Sequence, residues 1–298
     1  MRLARVRATA YPKLTLSLRV VGRRDDGFHD LEALVVSLGQ PHDVLEAYAV
    51  PAPGGVQVEL ARDDPAATGI PTDHTNLAFV AAEKLLVRAG RSGHGVRIVL
   101  RKRIPAGAGL GGGSADAAAA LLAVRRLLDV AVDDDGVRAL AAEVGSDVSF
   151  CVEGGAAWMR GRGEIIEPID LPPGLAFLVA IPPFRLATPD VYAAWDRLGG
   201  PRSERGVTAP RRVASFLPEL HNDLEPAAEA IEPRLKEFRS ALEAAAGRPA
   251  LLAGSGSAYV VPVTNARDLP PLAEQVSRRL RVPVVGTTSV SRGVRIST

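Results

Sequence analysis

Residues 103–124 read RIPAGAGLGGGSADAAAALLAV. Five glycines, Gly107, Gly109, Gly111, Gly112 and Gly113, stand close together, and an alanine-rich run follows at once. Consecutive glycines let backbone N–H groups approach an anion with no Cβ in the way. A helix opening at Ser114 adds unpaired amides and the positive end of its dipole. Phosphate is the natural occupant of such a loop, because a bare strand-to-helix turn needs far fewer glycines.

Two common phosphate loops fit poorly. A Walker A loop requires G-x-x-x-x-G-K-[ST], and here Gly113 stands where the lysine belongs. The dinucleotide pattern G-x-G-x-x-G matches formally through Gly107, Gly109 and Gly112, which would suit an oxidoreductase. Its acidic partner should end a second strand, whereas Asp133, Asp134 and Asp135 read as the start of a helix that stops near Gly145.

Outward from the loop, GVRIVLRKRIP (95–105) reads as a strand leading in, and Ser114 to about Leu128 as a helix leading out. KLTLSLRVV (13–21) alternates, with Leu14, Leu16, Leu18 and Val20 on one face and Lys13, Thr15, Ser17 and Arg19 on the other. RRDDGFHDL (23–31) is a polar turn. EALVVSL, DVLEAYAV and GVQVELA continue a mostly β first quarter. TDHTNLAFVAAEKLLVRAG (72–90) predicts a helix capped near Thr75 or Asn76 and stopped at Gly90. The short apolar segments VSFCV and AAWM straddle Gly154 and Gly155.

The proline-rich stretch 166–184 introduces a second pattern. Helices are expected at about 188–197, 222–231, 233–245 and 266–280, and strands at 250–253, 257–262 and from 283. GGPRSERG (199–206) reads as a polar loop. The layout is α+β, divided into 1–165 and 166–298.

Composition narrows the function classes. The chain has 298 residues, 47% of them hydrophobic, enough for a sizeable core. No uninterrupted apolar run approaches the roughly 18 residues of a membrane span, so neither a membrane anchor nor a signal peptide is expected. Cys151 is the single cysteine, which excludes an internal disulfide and fits a cytoplasmic setting. Net charge is +2 with basic residues dispersed, which argues against nucleic acid as a partner. Of the 36 basic residues only Lys13, Lys84, Lys102 and Lys236 are lysines, so each merits inspection.

PAGAGLGGGSADAA (105–118) resembles the second motif of the GHMP kinase superfamily, a proline-led Gly-Leu-Gly loop that wraps the triphosphate of ATP. Four further stretches extend the likeness in matching order over nearly the whole chain: YPKLTLSLRVVGRRDDGFHDLEALVVSL (11–38), GSDVSFCVEGGAAWMRGRGE (145–164), HNDLE (221–225) and AGSGSAYV (253–260). They resemble the branch of the superfamily that phosphorylates the 2-hydroxyl of 4-diphosphocytidyl-2-C-methyl-D-erythritol in non-mevalonate isoprenoid precursor biosynthesis. Another small-alcohol kinase of the superfamily and a non-catalytic nucleotide-binding paralog are the alternatives.

The resemblance implies the GHMP kinase fold, with an N-terminal ribosomal-protein-S5-like domain, a C-terminal ferredoxin-like domain and the site between them. It implies ATP as cofactor, held by Pro105, Ala106, Gly107, Ala108, Gly109, Leu110, Gly111, Gly112, Gly113, Ser114 and Ala115, with Ser114 helping to place Mg²⁺. Asp147 is the implied acceptor of the substrate hydroxyl proton and Lys13 the cation that orients it. The implied partner is a small-molecule substrate, a cytidine diphosphate derivative of methylerythritol, bound by Thr15, Phe28 and His29, with the protein a monomer or homodimer. Phe184 and Tyr192 are weighed as a second wall for the base or as core, Asn222 and Asp223 as helix caps, and Asp116 as a metal neighbour or a first-turn residue. Four positions depart from the family pattern: Tyr11 replaces alanine or a similarly small residue, Thr15 an asparagine, Phe28 a tyrosine and Ser149 a proline.

Overall fold

The computed structural model describes residues 4–61, 67–171, 174–200 and 220–297. The polar loop expected at 199–206 lies, from 201 onward, outside the described residues. The first part of the chain forms strands β1 (Arg5–Ala10), β2 (Lys13–Arg23), β3 (His29–Leu38), β4 (Asp43–Val50) and β5 (Val56–Leu60), then helix α1 (Leu77–Arg88) and β6 (Gly95–Arg101). Helices α2 (Gly112–Leu128), α3 (Asp134–Val144) and α4 (Ser146–Glu153) follow, then strands β7 (Ala156–Gly161), β8 (Ile165–Pro168) and β9 (Ala176–Ala180). The remainder comprises α5 (Thr188–Arg197), β10 (His221–Asn222), α6 (Glu225–Ile231), α7 (Arg234–Ala246), β11 (Leu251–Leu252), β12 (Tyr259–Val263), α8 (Leu269–Leu280), β13 (Val284–Val290) and β14 (Val294–Ser297).

Two sheets organise these elements. The smaller has the order β14-β1-β4-β6-β5, and the larger follows the path β10-β2-β3-β13-β9-β12-β11, with β7 also on β3 and β8 on β7. Strands from beyond residue 166 thus join both sheets. Helix α2 lies against β1 and β4 on one side and α1 and α4 on the other. Its residues 115–121 are all buried, and alanine suits this position because a small side chain lets helix and sheet backbones close together.

Strand β2 differs instructively from its reading as a two-faced strand. A register shift lies between Thr15 and Ser17, where the pairing steps from Val35 to Leu34. Leu14 and Leu16 consequently pack into the core around α2, while Leu18 and Val20 enter a second core with Trp195, Leu224 and Tyr259. An extra residue in one strand re-aims everything beyond it, so one amphipathic strand serves two cores. Its polar face is buried as well: Lys13, Thr15 and Ser17 are all nearly inaccessible.

Element ends also moved for identifiable reasons. Helix α2 starts at Gly112, not Ser114, so two glycines of the loop form its first turn. Strand β6 stops at Arg101, paired with Val44 near the start of β4, and beyond it Arg103 N and Ile104 N donate to Asp43 Oδ1 at 2.5 and 2.8 Å. The apolar segment VSFCV falls in helix α4. Asn76 caps α1 by accepting from Ala78 N at 2.8 Å, and Asp133 caps α3. The chain therefore runs from α2 into another helix, and the second strand a dinucleotide fold requires does not follow it.

Candidate active site

The glycine loop leaves β6, passes through residues 102–111 and enters α2 at an N-cap glycine in the left-handed conformation, with no side chain capping the helix. The first-turn amides of Gly112, Gly113 and Ser114 are thereby left for a ligand, at the positive end of a helix spanning residues 112–128. Glycine is required at two points. At Gly109 (φ +76°) an added Cβ would lie 1.8 Å from the Ala253 carbonyl oxygen, and at Gly111 (φ +68°) 2.8 Å from Lys13 Cγ.

Those two contacts identify what surrounds the loop. On one side, the turn 253–258 is laced to it through Ser257 N to Gly107 O (3.1 Å) and Ala258 N to Ala108 O (3.2 Å). On the other, Lys13 N donates to Leu110 O at 3.0 Å, seating the start of β2 directly against the glycines. Lys13 Nζ then lies 3.4 Å from Asp147 Oδ2 and donates to Thr15 Oγ1 at 3.1 Å. Asp147 sits in the first turn of α4, which begins after Gly145 without a side-chain cap. Its side chain is 35% exposed against 11% for Lys13, so the carboxylate still reaches the cleft.

These residues line a cleft of about 890 Å³. Pro105, Ala106, Gly107, Ala108, Gly109, Leu110, Gly111, Gly112, Gly113 and Ser114 all lie in its wall, with Lys13, Thr15, Phe28, His29 and Asp147. Ala115 does not, being wholly buried in α2. The other residues implied for ATP, acceptor and chemistry, Phe184 excepted, thus meet in one cavity.

The far end of the cleft is aromatic. His29 Nε2 is 2.9 Å from Asp196 Oδ1, and its ring stacks on Tyr192 at 4.9 Å and meets Trp195 edge-on at 5.5 Å. Arg23 approaches the same Asp196 at 3.7 Å. Phe28 is 54% exposed, with the Arg162 guanidinium 4.8 Å above its ring. An accessible ring beside a buried, braced histidine is a surface on which a flat base can stack and be hydrogen-bonded. Of the two aromatics weighed as a second wall, Tyr192 lines the cleft, and Phe184 packs against the core beneath Arg234, 4.1 Å above its ring.

Sequence reasoning missed the network under the loop. Lys102 Nζ is paired with both Asp43 Oδ2 and Asp116 Oδ2, and all three side chains are buried. Burial works against the Lys102 ammonium, but the two carboxylates outweigh it and hold its proton more firmly than usual. Burial pushes the Asp116 carboxyl up to about 7, with Lys102 acting in the opposite direction. Asp116 is therefore the anchor of a buried ion pair, the role neither sequence reading gave it. The scarcity of lysines was the one available signal. Asn222 and Asp223 do not cap α6 as expected, since its N-cap, Leu224, has no side-chain hydrogen bond; instead Asn222 Nδ2 donates to Leu252 O and Gly254 O and Asp223 Oδ2 accepts from Val20 N.

Comparison with known proteins places this geometry in a lineage. Residues 76–155 match the GHMP kinases N terminal domain. The chain is 37% identical over 251 residues to the 4-diphosphocytidyl-2-C-methyl-D-erythritol kinase of Shouchella clausii, covering 82% of this chain and 81% of that protein. It is 38% identical over 256 residues to the enzyme of the same name from Pelotomaculum thermopropionicum, covering 84% and 86%. A crystal structure of 4-(cytidine 5'-diphospho)-2C-methyl-D-erythritol kinase superposes with a TM-score of 0.78 at 36% identity, over 95% of this chain and 98% of that one. With its α+β GHMP kinase fold and that degree of identity, the chain belongs to the 4-diphosphocytidyl-2-C-methyl-D-erythritol kinase family.

Proposed function

We propose that this chain transfers the γ-phosphoryl group of ATP to the 2-hydroxyl of 4-diphosphocytidyl-2-C-methyl-D-erythritol, a step of non-mevalonate isoprenoid precursor synthesis. The observation that carries the reading is the Lys13–Asp147 pair, 3.4 Å apart at the edge of an uncapped, glycine-lined helix N-terminus. Phosphoryl transfer needs little covalent chemistry from a protein beyond alignment and charge neutralisation. The amides of residues 107–114 would hold the triphosphate. Asp147 would receive the proton of the attacking hydroxyl, and Lys13, steadied by Thr15, would orient that carboxylate and offset the charge gathering on the transferred group.

At the aromatic end, Phe28 supplies a stacking face for the cytosine, and Asp196 and Tyr192 hold His29 in place to bond it. Among the described residues no cluster of three or more His, Cys, Asp or Glu could hold a metal unaided. Ser114, in the first turn of α2 and in the wall of the cleft, is the protein ligand proposed for Mg²⁺, an ion that commonly relies on substrate phosphates and few protein ligands and that would neutralise phosphate charge. The division at 165/166, a cytoplasmic setting and a monomeric or homodimeric state belong to the same proposal. Among the described residues no helix is long and apolar enough to cross a membrane.

The test is to incubate the protein with MgATP and the cytidylylated acceptor and measure ADP and phosphorylated product. Turnover is expected. ATP binding without turnover would favour the non-catalytic paralog, and turnover only with a different small alcohol would reassign the acceptor.

A further inference from the structure

Residues 221–223 touch two parts of the site, strand β2 and the 252–254 turn, without lining it. His221 and Asn222 form β10, parallel to β2, with His221 opposite Ser17 and Asn222 opposite Leu18. Asp223 closes the junction, its N donating to Leu18 O at 3.0 Å and its Oδ2 accepting from Val20 N at 2.9 Å. The segment is thus stitched to the strand that begins at Lys13.

Asn222 faces the other way. Its Nδ2 donates to Leu252 O at 2.9 Å and to Gly254 O at 2.6 Å, and its Oδ1 accepts from Leu224 N at 2.9 Å. Both amide hydrogens and the carbonyl are used, in a side chain that is buried. Glu225 grips the same turn from below, its Oε2 accepting from Leu252 N at 2.9 Å. What they hold is the inner wall of the site: a Cβ built on Gly254 would lie 3.4 Å from Lys13 Nζ, 3.7 Å from Thr15 Oγ1 and 3.2 Å from Gly109 O.

We propose that Asn222 is a positioning residue for phosphoryl transfer, clamping the 252–254 turn so that Gly254 confines the Lys13 ammonium against Asp147 and seats the turn on the glycine loop. A local Asx turn ahead of α6 would need only the Oδ1 contact with Leu224 N. Two N–H donors spent on the carbonyls of one turn go beyond that requirement, and neither is replaced by water at a buried site without rearranging the turn. Misplacing a reacting group by about 1 Å can lower a rate on the order of 100-fold, so the clamp acts on turnover more than on binding. The inference rests on the assignment of Lys13 and Asp147 above.

The separating variant is Asn222→Asp, which keeps the length and the acceptor for Leu224 N but cannot donate to either carbonyl. With MgATP and acceptor saturating, and well below its unfolding temperature, its kcat should fall about tenfold or more while both KM values stay within about twofold. Asn222→Ser, which adds no charge, should lose about fivefold and serves if the aspartate variant does not fold. Phe238→Ala, in the same C-terminal core, supplies the control for general destabilisation. Two results overturn the inference: kcat within about twofold of wild type in the folded Asn222 variants, or an equal loss in Phe238→Ala at matched loss of stability. Should Asp147→Asn itself retain turnover, the site assignment fails and not the clamp alone.

Discussion

Lys13 and Lys102 both pair with aspartates at the glycine loop, and their settings are opposite. Lys13 stands 3.4 Å from a single carboxylate, Asp147, whose side chain is 35% exposed to the cleft. Lys102 is enclosed with two carboxylates, Asp43 and Asp116, that tie the end of β6 and the body of α2 together. A charge pair that must receive a substrate keeps one side open to it. A pair that holds backbone in place is nearly sealed from solvent, and losing a partner there leaves an uncompensated buried charge.

That contrast can be broken most severely at the open pair. Asp147→Asn should lower kcat by about 10²–10⁴ while ATP affinity, read by equilibrium binding, changes little, because the role proposed for the residue is on the hydroxyl proton and not on the nucleotide. At the closed pair the loss should appear as stability: Lys102→Met should reduce unfolding free energy by about 3–5 kcal/mol in urea melts, an effect Asp147→Asn should not share. Similar melts for the two variants would erase the distinction.

Smaller effects sharpen it. Phe28→Ala should raise the acceptor KM about tenfold, the scale of one base–aromatic stack, with ATP KM unchanged. Least of all, adding Asp116→Leu to Lys102→Met should return about 1 kcal/mol or more of the lost stability, since removing both partners of a buried pair leaves less unpaired charge than removing one. Asp43 would still accept from Arg103 N and Ile104 N, so recovery should be partial.

Much of this site was legible in the chain. The density of glycines at 107–113 announced a helix start with free amides, and the order of motifs at 11–38, 105–118, 145–164 and 253–260 singled out Lys13 and Asp147, which the structure sets 3.4 Å apart. Local signals sufficed there because backbone freedom and helix capping are decided within a few residues. Asn76 and Asp133 were readable as caps for the same reason.

What the sequence determined by itself was therefore the family, the alternation of strands and helices and the residues able to do chemistry. Tertiary structure alone decided which of them meet. Lys102 finds Asp43 across 59 residues and Asp116 across 14, Asn222 finds Gly254 across 32, and His29 finds Asp196 across 167. It also turned β2 at Thr15 and Ser17 so that one alternating strand feeds two cores. Burial and pairing partners are properties of the assembled chain: periodicity tells which face a residue takes, but whether that face meets water, a carboxylate or another backbone depends on elements arriving from elsewhere.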